Sequence, residues 1–185
     1  SSQKRLYPCD RGFDHFYGTW WGAKDYFKPK FMMKNHELID DNTKYPDDFY
    51  LTHALSDSAI EFVEAQNDQK KPFFLYLAHY APHAPIQAPE ERIQKCLERY
   101  KSGFVQLQLD RFERQKKLGV APKNAVLRNQ SGSWNKLNAQ QKNTWMRTMA
   151  TYAAMIEIMD DGIGQLINVL KENGQYENTL IVFLS

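Results

Sequence analysis

The sequence has no long apolar run, only two cysteines and almost no net charge. No stretch of apolar residues approaches the ~18 that a membrane-spanning helix needs, so we expect no membrane span. The net charge of +2 is too small to indicate a nucleic-acid partner. Cys9 and Cys96 lie far apart and lack metal-ligand spacing, so they either pair with each other or stay free.

The chain of 185 residues is long enough for one core, and we interpret it as a portion of a single domain with four segments. Residues 1–48 have many turn residues and little periodicity, which indicates an irregular segment. Residues 49–118 are predicted to form a helix, a strand, a loop and two further helices. Residues 119–140 are polar and are interpreted as a variable surface excursion, and residues 141–185 as a long helix followed by a core strand.

Apolar periodicity predicts the helices. Spacings of three and four residues indicate an amphipathic helix over residues 51–66, and a longer apolar stripe predicts a long helix that includes residues 145–170. Gly174 follows this stripe, where a glycine commonly ends a helix. Two further helices are predicted over residues 90–100 and 102–117.

Two short apolar runs without charge, residues 73–78 and 179–184, each follow a helical segment. Such runs are typical of strands that are buried on both faces of a parallel sheet. Together with the helices they predict an α/β fold with a mostly parallel sheet flanked by helices. Because the chain stops just after the second run, where α/β folds place their binding crevice, we expect this fold to be incomplete.

His83 is the candidate functional residue. It lies in a proline-rich loop, residues 79–89, that follows the first predicted strand. An imidazole at that edge of a sheet can donate a hydrogen bond to an anionic oxygen or protonate a leaving group. A structural histidine whose nitrogens bond backbone carbonyls is the alternative interpretation, and the residues alone leave it open. His79 is interpreted as a strand-end residue.

An aromatic cluster near the beginning of the chain has two possible roles. Flat apolar rings suit either the core or stacking on a sugar or aryl ring, and the sequence does not separate the two. The cluster consists of Trp20, Trp21, Tyr26 and Phe27.

Several blocks resemble the sulfatase family, in the family's order and over nearly the whole chain. Jointly they are specific, and only residues 28–48 and 120–140 lack a clear counterpart. The blocks are residues 8–18 (similar to RGFD-x-FYG), 22–27 (Gly-Ala-x-x-Tyr-Phe), 71–78 with 81–87 (PFFLYL followed by APH-x-P-x-Q), 152–164 (YAAMIE-x-MD-x-x-IG) and 177–185 (the strand that runs into Asp-Asn-Gly).

The resemblance implies an alkaline-phosphatase-like fold that hydrolyses sulfate esters with a formylglycine nucleophile and calcium. The histidine of the APH-x-P block maps to His83, which implies that His83 bonds a sulfate oxygen or helps the ester oxygen leave. Neither Cys9 nor Cys96 lies in the Cys-x-Pro-x-Arg motif from which formylglycine is made. We therefore expect the nucleophile and the calcium ligands outside these 185 residues, and this chain alone to be inactive.

The resemblance also implies a small-molecule or glycan sulfate ester as substrate and a periplasmic, extracellular or lysosomal location. Two alternatives stay open. One is a phosphodiesterase or phosphonate monoester hydrolase of the same superfamily, and the other is a non-catalytic binding domain that retains the fold. The nucleophile decides between the two kinds of enzyme, since Cys or Ser before x-Pro-x-Arg favours a sulfatase and a plain Thr favours phosphate chemistry.

Overall fold

The computed structural model describes residues 7–40, 42, 44–67, 71–128 and 131–184. These residues form two compact units, the first comprising Ser1–Gln87 with Met155–Ser185 and the second Ala88–Ala154. The helices in the described residues are α1 (Leu51–Gln66), α2 (Glu90–Tyr100), α3 (Gly103–Lys117), α4 (Ser131–Asn135) and α5 (Ala139–Glu172).

The predicted helices are confirmed, and α5 ends as the sequence indicates. Gly174 has a positive φ of 68°, and its N–H donates to the carbonyl of Lys171 at 3.0 Å. The N–H of Gln175 donates to the carbonyl of Leu170 at 2.8 Å, which completes a Schellman-type end. The beginning of α5 differs from the prediction, because Ala139 lies within the segment that we interpreted as a surface excursion.

Residues 1–48 were predicted to be irregular, but they contain a small antiparallel sheet. Its strands are β1 (Tyr17–Thr19), β2 (Met32–Lys34) and β3 (Glu37–Leu38), in the order β1-β2-β3. Asn35 turns the chain between β2 and β3 with a φ of 55°, a conformation that Asn tolerates better than most residues. Its side-chain oxygen accepts the N–H of Phe16 at 3.0 Å. Strands of two or three residues are too short to give a visible alternation in the sequence.

The two predicted buried strands are not strands in the described residues. Residues 73–78 and 179–184 have no hydrogen-bonded strand partner there, and their apolar side chains stay accessible. Phe74 is 74% exposed and Leu180 is 89% exposed. The prediction of burial is wrong for these segments as the structure describes them, because a parallel strand is buried only when neighbouring strands and covering helices are present.

A bidentate ion pair joins two helices of the second unit. The guanidinium of Arg147 in α5 donates to both carboxylate oxygens of Glu90 at the beginning of α2, at 3.0 and 2.6 Å. These hydrogen bonds from Arg147 are the main reason that the pKa of Glu90 is lowered to about 2. Ile93 and Cys96 on α2 are buried in this unit, together with Ala150 and Ala154 of α5.

In the first unit, α1 and α5 meet closely at Gly162. A Cβ atom placed on Gly162 would overlap Oγ of Ser56 and lie 2.8 Å from its Cβ. Ser56 is buried on α1 and donates its hydroxyl to the carbonyl of Thr52 at 3.1 Å, so it has little freedom to move away. The glycine therefore allows the two helices to approach each other.

We predict that Gly162→Ala destabilises the protein by about 1–3 kcal/mol, since the added methyl group overpacks the contact with Ser56. Gly164→Ala is the matched control, because nothing lies within 4 Å of a Cβ there. In the interior of the same helix this control change should stabilise by about 0.5–1 kcal/mol. Denaturant unfolding of the full-length protein measures both, and equal effects would contradict the close approach.

Candidate active site

The site loop, residues 79–87, follows the first apolar run and carries His83. It lies outside any helix or strand, and its Ala81–Pro82 and Ala84–Pro85 peptide bonds are cis. The backbone N–H of His83 donates to the carbonyl of Tyr80 at 3.0 Å, which closes a tight turn. The Tyr80 ring lies 4.9 Å from the imidazole, measured between centroids. His83 therefore projects from a compact turn.

The imidazole of His83 is exposed, and one of its nitrogens has a fixed partner. Nδ1 lies 2.7 Å from the carbonyl oxygen of Ala84. Because a carbonyl only accepts, Nδ1 must carry the hydrogen, so Nε2 is the nitrogen that has a lone pair in the neutral ring. Nε2 has no hydrogen-bond partner among the described residues. It can donate to an anionic oxygen when the ring is protonated.

Two buried tyrosines hold the site loop by donating hydrogen bonds to its backbone carbonyls. The hydroxyl of Tyr26 donates to the carbonyl of His83 at 2.8 Å, and the hydroxyl of Tyr50 donates to the carbonyl of Gln87 at 2.8 Å. The side-chain oxygen of Gln87 accepts the backbone N–H of Tyr26 at 2.9 Å. The two tyrosine rings stack, with centroids 5.5 Å apart and planes 21° apart. We call Tyr26 and Tyr50 the tyrosine pair.

The tyrosine pair stays protonated, so both hydroxyls remain donors. Burial is the main reason that the pKa of Tyr26 is raised far above its usual range, and the neighbouring Tyr50 and Tyr80 raise it further. Burial also raises the pKa of Tyr50 to about 12. Because neither phenol ionises at neutral pH, each keeps its hydrogen bond to the site loop.

His79 begins the site loop, and both of its ring nitrogens are buried without a hydrogen-bond partner among the described residues. Burial lowers the pKa of His79, since the charged imidazolium is disfavoured away from water. The interpretation of His79 as a strand-end residue is not met, because the preceding segment is not a strand in the described residues.

The two cysteines and the aromatic cluster were also singled out in the sequence. Cys9 is half-buried and Cys96 is buried, and the two do not form a disulfide with each other. Within the described ranges no group of three or more His, Cys, Asp or Glu side chains is arranged to hold a metal ion.

Of the aromatic cluster, Tyr26 is fully buried, whereas Trp21 is 76% exposed. In the described part of the chain no helix is long and apolar enough to span a membrane.

Comparisons with known proteins show which family the chain belongs to. A family model described as Sulfatase matches residues 1–185. An arylsulfatase of Klebsiella aerogenes is 32% identical over 187 residues, which cover 96% of this chain and 40% of that protein. An uncharacterized sulfatase of Schizosaccharomyces pombe is 32% identical over 197 residues, which cover 97% of this chain and 35% of that protein.

A solved structure has the same fold over most of the chain. The crystal structure of Ps i-CgsB in complex with k-i-k-neocarrahexaose is 28% identical, with a TM-score of 0.53, over 95% of this chain and 32% of that one. The chain therefore belongs to the sulfatase family, and the predicted α/β fold of the alkaline-phosphatase-like kind is confirmed. It spans between about a third and two fifths of the length of these relatives.

The sequence analysis missed Tyr50 and Gln87 and left the role of Tyr26 undecided. A usable signal existed for Tyr26 and Gln87, since both lie in blocks that resemble the family. A fully buried tyrosine also needs a partner for its hydroxyl. The sequence does not show which carbonyl that partner is, because Tyr26 and His83 are 57 residues apart.

We predict that the neutral imidazole of His83 carries its one N–H hydrogen on Nδ1, because the Ala84 carbonyl accepts that hydrogen. Long-range proton–nitrogen NMR correlations of the full-length protein, at an alkaline pH where imidazoles are neutral, distinguish the two tautomers. The His83→Gln variant assigns the signal by its loss. An Nε2–H tautomer would contradict the contact with Ala84.

We predict that His79 makes the protein less stable as the pH falls. Its pKa in the folded state lies below the ordinary value of 6.5, so below about pH 6.5 the unfolded chain binds the proton more readily. Stability is therefore present above that pH and is lost as the pH falls toward the folded-state pKa. In His79→Gln the loss of unfolding free energy between about pH 7 and pH 5 should be smaller than in the wild type. An equal loss would show that His79 is not desolvated.

Proposed function

We propose that the protein hydrolyses sulfate monoesters and that His83 is the active-site group which this chain supplies. One observation carries the proposal. The Nδ1 hydrogen of His83 bonds within the loop while the backbone is held by Tyr26, so the exposed ring presents Nε2. We also infer that residues 1–185 are the central portion of one catalytic domain, as their similarity to about a third of each relative supports.

The chemistry of sulfate ester cleavage suits such an imidazole. When the S–O bond to the leaving group breaks, negative charge develops on the departing ester oxygen. A fixed N–H donor aimed at that oxygen, or at a sulfate oxygen, stabilises the charge and lowers the barrier. A protonated His83 can also transfer its Nε2 proton to the leaving oxygen, which then departs as a neutral alcohol or phenol.

We propose that the protein also uses a formylglycine nucleophile and a calcium ion, although this chain supplies neither the nucleophile nor the calcium ligands. Neither Cys9 nor Cys96 lies in a Cys-x-Pro-x-Arg motif, and no group of carboxylates among the described residues has the arrangement that calcium needs. The described residues thus do not fit a calcium ion. We propose that both are supplied by parts of the protein outside these 185 residues, so that this chain alone is inactive.

The substrate and location follow from the same proposal. One structural neighbour was solved with k-i-k-neocarrahexaose, which supports a glycan sulfate ester beside the small aryl esters suggested by the similar arylsulfatase. We propose a periplasmic, extracellular or lysosomal protein, as the family resemblance implies.

His83→Ala in the full-length protein should lower the turnover of an aryl sulfate by at least ~10²-fold, the low end for a lost proton donor or anion contact. The matched control is His36→Ala, since His36 is an exposed histidine whose ring bonds Asp10 at the surface. That control should keep wild-type turnover.

Three results would contradict the proposal. Unchanged turnover in His83→Ala would remove His83 from the site. Faster hydrolysis of the matching aryl phosphate diester or phosphonate than of the sulfate would favour a phosphodiesterase or phosphonate hydrolase. Binding of sulfated ligands without turnover of any ester by the full-length protein would favour a non-catalytic domain.

A further inference from the structure

We infer that Tyr26 is a positioning residue for His83, because its buried hydroxyl holds the backbone that carries the imidazole. The inference rests on the proposed function, since it gives Tyr26 a role that acts through His83. Tyr26 would fix the position of the active-site histidine relative to the rest of the fold, which the imidazole's own contacts do not do.

Tyr26 bonds two other stretches of the chain, the site loop and the beginning of α1, through its three polar groups. Its N–H donates to the side-chain oxygen of Gln87 at 2.9 Å, and its hydroxyl donates to the carbonyl of His83 at 2.8 Å. Its carbonyl accepts the N–H of Leu51 at 2.8 Å, which ties it to the beginning of α1. Tyr26 therefore attaches the site loop to the beginning of α1.

The hydrogen bond from Tyr26 to His83 has no ready substitute. The residue is 0% exposed, so water does not reach the hydroxyl to replace the bond. Its ring packs against the rings of Tyr50 and Tyr80, whose centroids lie 5.5 and 5.6 Å away. If the hydroxyl is removed, the His83 carbonyl loses the donor that it has among the described residues.

The imidazole depends on this attachment because its own contacts lie within the loop. Among the described residues, the hydrogen bond of the His83 ring is to Ala84 and its ring contact is with Tyr80. A ring fixed only to its own loop moves wherever the loop moves. The tyrosine pair fixes that loop at two carbonyls, His83 and Gln87, and a displacement of about 1 Å at a catalytic group can cost about 10²-fold in rate.

The test compares Tyr26→Phe with Tyr45→Phe in the full-length protein, using an aryl sulfate. Tyr45 also donates its hydroxyl to a backbone carbonyl in the same unit, that of Pro29 at 3.2 Å, but this carbonyl is not in the site loop. We expect Tyr26→Phe to lower kcat about tenfold with KM changed less than about twofold, because the loop stays folded but less fixed. Tyr45→Phe should leave both constants within about twofold of wild type.

A double-mutant cycle separates positioning from a general structural role. If Tyr26 acts through His83, then Tyr26→Phe should have no further effect on turnover in the His83→Ala background. Equal fractional losses in both backgrounds, or a lower amount of folded enzyme with unchanged kcat, would overturn the inference. Tyr50→Phe serves as the second variant if Tyr26→Phe does not fold, with the same expectations, since it removes the donor to Gln87.

The outcomes also distinguish this inference from the proposed function. If His83→Ala lowers turnover but Tyr26→Phe and Tyr50→Phe leave it unchanged, the inference fails and the proposed function stands. If His83→Ala itself leaves sulfate turnover unchanged, the proposed function fails and takes the inference with it.

Discussion

The hydroxyl of Tyr26 is buried with the ring that carries it, and its acceptor among the described residues is the carbonyl of His83. Much of the site's geometry depends on that requirement. The same residue accepts a hydrogen bond from the beginning of α1 and donates one to the side chain of Gln87, so satisfying its polar groups brings the helix and the loop together. A loop rich in proline has few backbone N–H groups of its own to offer, and the tyrosine pair supplies external donors.

This arrangement gives a physical reason for two blocks of sequence that are far apart. The tyrosine of the Gly-Ala-x-x-Tyr-Phe block and the glutamine that ends the APH-x-P-x-Q block bond each other directly, through the Tyr26 N–H and the Gln87 side chain. Each residue thus has its full role only when the other is present. Close helix packing at Gly162 adds a second constraint in the same unit, because α1 must also lie against α5.

The helices could be predicted from the sequence because their periodicity is local, and α1, α2 and the end of α5 agree with it. His83 was singled out because prolines and a preceding apolar run mark its loop, and its role, which the family resemblance implies, stays a prediction. Pairing over long separations could not be predicted: the strands of the small sheet are two or three residues long, and the contact of Tyr26 with His83 spans 57 residues. Buried strands at residues 73–78 and 179–184 were predicted from their apolar composition. Composition carries no information about whether a neighbouring strand is present.

We propose that the tyrosine pair holds His83 with Nε2 facing a tetrahedral anion. The decisive experiment is a crystal structure of the full-length protein with inorganic sulfate bound. We expect Nε2 of His83 to lie about 3 Å from a sulfate oxygen, with the Tyr26 hydroxyl still on the His83 carbonyl. A sulfate bound elsewhere, or an imidazole turned away from it while Tyr26 keeps its bond, would contradict the claim.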